Sequence, residues 1–449
     1  MSHTRRNFFL LAGGALAAAQ DPKNMVVRSA RPEDLEMPLS GFADYLTPAD
    51  HFFVRTHVYV PAVNMSEWRL KVEGSVQTPL TLAMDDLRKM PAVELIAVTE
   101  CAGNSRSFFN PHVPGLQWGW GGVANARWRG VRLAEVLQRA GVRPSAVEVL
   151  LDGADEPIGT MQDFRRSIPL RKALHPDTIL AYEMNGEPVP LKHGFPLRLV
   201  APGWASDSWV KWVTSLNVLD KPWDGFWMKN AYRKPDHAVA PGTSLTPEQM
   251  VPVTSLRVKT VIASPAANWA RPGEPVRIAG VSWSGDAGPV TSVEVSTDAG
   301  RTWKAARLYP GQKTKYGWRQ WDFSWTPERE AYYTIMARAR DAAGDTQPLA
   351  QEWNPGGYGW NVAPSLGIRV QAQAPEAANP PVSPAHPEPP PGFRASCLQC
   401  HGTDVIEQQH LTRAQWDREI TKMTGWGARV NAQDRELLLN YLSGAFGAK

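Results

Sequence analysis

The hydrophobic pattern divides the chain into stretches of different rhythm. Residues 21 to about 50 show little periodicity and read as an extended leader. In His51-Phe52-Phe53-Val54-Arg55-Thr56-His57, alternation sets Phe53, Arg55 and His57 on one side of an extended segment. Trp68-Arg69-Leu70-Lys71-Val72-Glu73-Gly74 alternates as a strand, and Thr81 to Leu87 reads as a helix start capped by Thr81. Val93 to Thr99 predicts a strand, Gly130 to Leu137 the start of a helix, and Val147 to Leu151 another strand. The stretch 20–252 is therefore predicted to be one mixed α+β domain. From 253 to 372 the texture turns to short β runs, among them Val276-Gly280, Val290-Ser296 and Tyr332-Ala339, with turns such as Asp298-Ala299-Gly300 between them. That spacing predicts an Ig-like β-sandwich. Residues 373–392 are rich in proline and predict a stiff spacer. The last stretch, 393–449, is helical. Thr412-Arg413-Ala414-Gln415 has capping-box form, and Trp416, Ile420 and Met423 share one face. A final helix runs from Ala432 to Leu442 behind Asn431.

Composition narrows the class. At 449 residues the chain is too long for one ordinary core, which agrees with several domains. A net charge of +4 is small for this length and argues against a general nucleic-acid binder. The first nineteen residues carry Arg5-Arg6 and an apolar, alanine-rich run ending in Ala17-Ala18-Ala19. The run is shorter than a bilayer span requires, and no other run is long enough to be a membrane-spanning helix. It reads as a twin-arginine signal, which predicts a periplasmic protein exported already folded and carrying its cofactor.

The three cysteines carry the chemistry. Cys397-Leu398-Gln399-Cys400-His401 has the attachment pattern of a c-type haem. Cys397 and Cys400 can reach the two vinyl groups, and His401 can ligate the iron. The sixth ligand is Met423 or, less well placed, His410. Cys101 is left over, in Thr99-Glu100-Cys101-Ala102-Gly103-Asn104-Ser105-Arg106. It reads either as a small buried hydrophobe or as a thiolate serving a metal or acting as nucleophile. Two basic segments join it: Lys192-His193-Gly194-Phe195-Pro196-Leu197-Arg198, and the stretch Trp209-Val210-Lys211-Trp212. With Arg55, His57 and Arg106 they supply enough cations for a phosphate-bearing cofactor and an anionic substrate, or for a basic surface facing an acidic partner.

Together, Cys101 to Arg106, His193-Gly194-Phe195-Pro196 and Arg55-Thr56-His57 resemble the sulfite oxidase family of molybdenum enzymes. Ala181-Tyr182-Glu183-Met184-Asn185-Gly186, Val210-Lys211-Trp212, Val293 to Asp298 and Trp318-Arg319-Gln320-Trp321 agree. The resemblance covers residues from about 40 to 370, and the C-terminal stretch resembles the cytochrome c modules of bacterial sulfite dehydrogenases. It implies a molybdopterin domain, an Ig-like domain that makes a homodimer, and a small all-α cytochrome domain. It implies that Cys101 ligates molybdenum, and that the pterin meets Phe53, Val54, Arg55, His57, Asp155, His193, Arg198, Trp209, Val210 and Lys211. Sulfite would be bound by Arg55, Arg106 and Arg319, with Trp118 and Tyr232 beside them, and a soluble cytochrome c would accept the electrons. Thr56 stands where the family often has Asn, and Ser105 and Trp209 stand where the vertebrate enzymes have a basic residue and His. The departures bear on substrate and docking partner. A sulfane dehydrogenase acting on carrier-bound sulfur, and a haem electron-transfer protein without molybdenum chemistry, are the rival readings.

Overall fold

The computed structural model describes residues 25–159, 161–375 and 387–448. The predicted signal, residues 1–19, and most of the proline-rich spacer lie outside these residues. No helix among them is long and apolar enough to cross a membrane.

Two five-stranded sheets build the first domain. In one, Ala92–Glu100 pairs with Val123–Arg132, which pairs with Ile179–Met184; Glu187–Pro188 and Arg198–Val200 both pair with that third strand. All of these pairings are antiparallel. The other runs Leu80–Leu82, Leu70–Gly74, Ser215–Leu219, Glu148–Asp152 and Arg166–Pro169, with one parallel pairing, Leu70–Gly74 against Ser215–Leu219. The helix Leu133–Ala140 buries Leu133, Val136, Leu137 and Ala140, residues at helical spacing, in the domain core.

Several sequence expectations shift. The leader is structured: Val26–Ala30 and Glu33–Glu36 form a hairpin. Thr81 lies in a strand, and the helix begins at Met84, where the Asp86 carboxylate accepts the Ala83 N–H at 3.0 Å. Gly130 and Val131 also belong to a strand. A side chain at Gly130 would meet the Leu180 carbonyl oxygen at 2.0 Å, so glycine permits the close pairing there. The segment 51–57 is not a strand; only Val54 forms a bridge, to Leu35.

Residues from Lys259 to Val370 form a sandwich. Lys259–Ser264, Val276–Trp283, Arg319–Trp325 and Arg307–Leu308 make one sheet. Trp269–Ala270, Ser365–Val370, Ala331–Asp341, Val290–Ser296 and Lys304–Ala305 make the other. Ile278, Val293, Val295, Trp321, Ile335 and Ile368 fill the space between them. This domain also meets the first. The Val98 N–H donates to the Tyr316 carbonyl at 2.9 Å, and Trp283 and Trp318 share a core with Val98 and Val123.

The C-terminal module holds Phe393–Cys397, Asp404–Glu407, Arg413–Gly425 and Ala432–Ala445 around Phe393, Trp416, Ile420, Leu438 and Leu442. Thr412 and Asn431 cap the two long helices, as their sequences predict. The module packs on the first domain. Asp404 Oδ2 accepts the Ala30 N–H at 2.6 Å, and Arg31 Nη2 donates to the Leu398 carbonyl at 2.6 Å. Trp426 lies 5.6 Å from the Phe226 ring and 6.2 Å from the Trp227 ring.

Candidate active site

The site is built where the strand Ala92–Glu100 stops. Cys101 follows it, its N–H donating to the Gly122 carbonyl at 2.8 Å. Asn104 closes the turn. Its N–H donates to the Cys101 carbonyl at 2.8 Å, its Oδ1 accepts the Gly122 N–H at 3.0 Å, and its Nδ2 donates to Glu100 at 2.9 Å. A side chain at Gly103 would come within 2.6 Å of the Arg106 guanidinium, so glycine lets that cation fold over the turn. Cys101 is 7% exposed. Burial pushes its thiol up, while Arg106, the Gly103 N–H and Arg55 pull the other way.

Cys101 faces an open-mouthed cavity in which about 670 Å³, solvent at the mouth included, is free of atoms. Its walls bring together Phe53, Arg55, His57, Asp155, His193, Arg198, Trp209, Lys211 and Tyr232 of the sequence-predicted set. Six basic residues line it: Arg55, His57, Lys192, His193, Arg198 and Lys211. Lys211 Nζ donates to the carbonyls of Arg55 and Lys192, each at 3.0 Å, and sits 4.1 Å from the Trp212 ring. Burial brings its ammonium down to about 7, with Arg198 adding to the effect. Burial also brings His193 down to about 3 and Arg198 to about 9. Asp155 is pushed up to about 7 by burial.

Three polar atoms on this wall are buried without a hydrogen-bond partner: Thr99 Oγ1, Arg198 Nε and Asp207 Oδ1. Such orphans are costly unless a ligand meets them. A basic, aromatic-walled cavity with unspent donors and acceptors beside one thiol fits a phosphate-bearing pterin whose metal takes a single protein thiolate.

Arg55 reaches this wall from a residue the sequence reading missed. Its guanidinium pairs with buried Asp34 at 3.2 Å, whose Oδ1 also accepts the Thr56 N–H at 2.8 Å. Burial opposes the Arg55 charge, but Asp34, with Tyr232 and Cys101 near, holds it above its ordinary value. Burial pushes Asp34 itself up to about 6. Asp34 sits in the hairpin read as featureless leader, where one acidic residue gave no signal.

His57 Nε2 and the Tyr232 hydroxyl lie 2.7 Å apart in a hydrogen bond. His57 stacks on Phe164 at 3.8 Å between centroids. Burial, then Arg55, Lys211 and Arg166, holds His57 well below its usual value, so the imidazole is neutral. Burial pushes the Tyr232 phenol up, so it keeps its proton. Arg166, a second residue the sequence reading missed, pairs with Asp207 at 2.7 Å and lies 5.3 Å over the Tyr232 ring.

The remaining predicted residues stand behind or away from the wall. Trp118 is fully buried and meets the Phe53 ring edge-on at 6.2 Å. Val54 is held by its bridge to Leu35, and the Val210 carbonyl accepts the Leu199 N–H at 2.8 Å. Arg106 adjoins Cys101 but is anchored by three bonds: Nε and Nη2 to the Gly356 carbonyl at 3.2 and 3.0 Å, and Nη1 to the Leu116 carbonyl at 3.0 Å. Arg319 does not join the site. It opens a strand of the second domain, pairs across the sheet with Ser282, and donates to the Val290 carbonyl at 3.1 Å.

In the C-terminal module Cys397 and Cys400 are free thiols, half-buried and exposed respectively, with Cys397 pushed up to about 11 by burial. His401 Nδ1 lies 2.9 Å from the Gly402 carbonyl, which leaves Nε2 for a metal. Met423 is half-buried near the end of its helix, whereas the His410 ring lies 6.4 Å from His112 of the first domain. Two free thiols and a histidine with one nitrogen already engaged fit a c-type haem.

Comparison with known proteins agrees with this geometry. The Oxidoreductase molybdopterin binding domain matches residues 57–227, and the Mo-co oxidoreductase dimerisation domain matches residues 251–363. The class defined by fold and site is thus a molybdopterin oxidoreductase. Sulfite oxidase of Gallus gallus is 34% identical over 369 residues, spanning 75% of this chain and 78% of the relative. Mitochondrial sulfite oxidase of Drosophila melanogaster is 34% identical over 371 residues, 76% of this chain, and the chain spans 62% of that protein's length. The sulfane dehydrogenase SoxCD of Paracoccus pantotrophus superposes with a TM-score of 0.67 at 26% identity, covering 81% of this chain and 96% of that one. The chain belongs to the sulfite oxidase family of molybdenum enzymes.

Proposed function

We propose that this protein oxidises sulfite to sulfate in the periplasm, and that the electrons leave through a c-type haem to a soluble cytochrome. The observation that carries the reading is the buried thiol of Cys101 at a strand end, lining the basic cavity and within the field of Arg106. The overall change is sulfite plus water giving sulfate, two protons and two electrons. Bound molybdopterin supplies oxygen-atom transfer and takes up the electron pair. Cys101 would hold that group, and Arg198, Lys211 and His193, which line the same cavity, would meet its phosphate. Arg55 and Arg106 bind the substrate oxyanion, where low dielectric strengthens each contact and planar guanidinium forks suit the anion. Tyr232 keeps its proton and donates a hydrogen bond, with neutral His57 fixing its hydroxyl. In the module Cys397, Cys400, His401 and Met423 would hold a haem that carries single electrons. The match to the dimerisation domain supports a homodimer joined through residues 251–363.

Stopped-flow mixing with sulfite, with molybdenum quantified in the same sample, tests the reading. Haem reduction in a sample holding one molybdenum per chain is expected. Loaded protein that leaves its haem oxidised refutes it. The similarity to SoxCD favours a second reading, oxidation of sulfane sulfur on a carrier. Reduction by carrier-bound sulfane but not by free sulfite would select it.

A further inference from the structure

Arg106 is held by two loops. One is 356–357 of the second domain, through the Gly356 carbonyl. The other is 115–117, through the Leu116 carbonyl on Nη1. That second loop is tied to the C-terminal module. Gln409, 6% exposed, pairs with the Gly115 peptide like a strand rung: Oε1 accepts the Gly115 N–H at 3.0 Å, and Nε2 donates to the Gly115 carbonyl at 3.1 Å. Next to it, Gln408 Oε1 accepts the Gln117 N–H at 2.8 Å, and Gln408 Nε2 donates to the Arg28 carbonyl at 2.9 Å. The Gln117 N–H shares one planar peptide with the Leu116 carbonyl, so Gln408 holds that peptide directly while Gln409 holds the two before it. Gly115 has φ +116°, and a side chain there would lie 3.0 Å from Arg106 Nη1, so glycine allows the loop its close approach to the guanidinium.

We propose that Gln409 is a positioning residue for the active site. Docked, the C-terminal module sets the 115–117 loop, and the Leu116 carbonyl then aims the Arg106 guanidinium. The oxyanion pocket is completed only with all three domains in contact. Arg106 comes from the first domain, Gly356 from the second, and Gln409 from the module. The inference rests on the reading that Arg106 binds the substrate oxyanion. It requires no haem.

The test uses the full chain with Gln409→Met, which nearly keeps the side-chain volume but removes both bonds to Gly115. Three quantities are read: amide exchange at Gly115 and Gln117, sulfate affinity by calorimetry, and sulfite kinetics with ferricyanide, a one-electron oxidant consumed two per sulfite, in place of the external cytochrome. Faster exchange is expected at both amides. Sulfate affinity should fall and KM for sulfite rise together, by about five- to ten-fold, with kcat within about two-fold. Should that variant fail to fold, Gln408→Met, which frees the Gln117 N–H and the Arg28 carbonyl, should move the same quantities in the same direction. Faster exchange with unchanged sulfate affinity and KM overturns the proposal, since the glutamines would then only fasten the module. Wild-type protein that binds sulfate without oxidising sulfite would count against the proposed substrate alone, and the sulfate titration would still decide Gln409. Wild-type protein that binds no sulfate removes Arg106 from anion binding and overturns the inference.

Discussion

Lys211 shows at the scale of one residue what the cavity is for. Its ammonium is brought down to about 7 by burial, with Arg198 adding to the effect. Charging it inside the fold costs stability below pH 7, and that cost is relieved as pH rises toward the ordinary lysine value. Asp155, pushed up to about 7, tilts stability the opposite way, but only below pH 7. Protein purified without the pterin should therefore gain up to about 1.4 kcal/mol per unit from pH 7 to pH 9 through Lys211. Lys211→Met should lose that slope, read as denaturant midpoints against pH. A bound phosphate favours the ammonium, so loaded protein should be flatter than empty protein; an equal slope in both would remove Lys211 from the cofactor. Residues of this kind were legible because their types cluster in sequence: Cys101 to Arg106, 192–198 and 209–212. Asp34 and Arg166 were not, since their roles arise from partners 21 and 41 residues away, Arg55 and Asp207. Arg319, assigned to the site by the family resemblance, pairs across its sheet with Ser282 and donates to the Val290 carbonyl.

At the scale of elements, the end of one strand is pinned to the start of another in the next domain. Glu100 closes Ala92–Glu100, and Lys259 opens Lys259–Ser264. Their side chains meet at 2.8 Å, with Lys259 1% exposed and Glu100 8%. Asn104 Nδ2 and Trp283 Nε1 also donate to the Glu100 carboxylate, at 2.9 and 2.7 Å. The pair lies directly behind Cys101, so the second domain braces the thiol turn. Lys259→Met leaves the buried carboxylate without its counter-charge and should cost about 3–5 kcal/mol. Adding Glu100→Met to it should recover a large part of that loss, measured by urea unfolding of the single and double variants. Strictly additive losses would mean the two charges do not act on each other. Strand and helix types were mostly readable from period, while their ends were not. Thr81 and Gly130 were assigned to helices because apolar spacing over a few residues fits both periods. Pairing to Lys71 and to Ala181 decided for strands.

The whole molecule adds what no local pattern carried, namely where the C-terminal module sits. Composition predicted the spacer and the motif a haem attachment, but the seam is made largely of main-chain groups, to which any residue contributes alike. Asp404 meets the Ala30 N–H, Arg31 meets the Leu398 carbonyl, and Gln408, Gln409 and Gln415 meet groups of residues 28 and 112–117. Trp426 adds ring contacts to Phe226 and Trp227, and Trp227 in turn lies 4.9 Å from His57. Among the described residues no side-chain ion pair crosses the seam. This predicts how docking responds to salt. Exposed ion pairs are screened once the Debye length falls below their separation, about 10 Å at 0.1 M and about 3 Å at 1 M. Hydrogen bonds to carbonyls and ring contacts are far less sensitive. The radius of gyration from small-angle scattering should therefore stay constant from low salt to about 1 M. Haem reduction within the chain should change by less than about two-fold over the same range, whereas electron transfer to an external, charged cytochrome should fall steeply. Expansion of the molecule with salt would show that the module is held by charge. A constant radius with a collapsing internal rate would place the electron route outside this seam. Trp426→Ala separates the contact itself from docking. With the glutamine bonds intact the radius should be unchanged, and a fall in the internal rate with unaltered ferricyanide-linked turnover would assign the electron route to the Trp426–Trp227 contact.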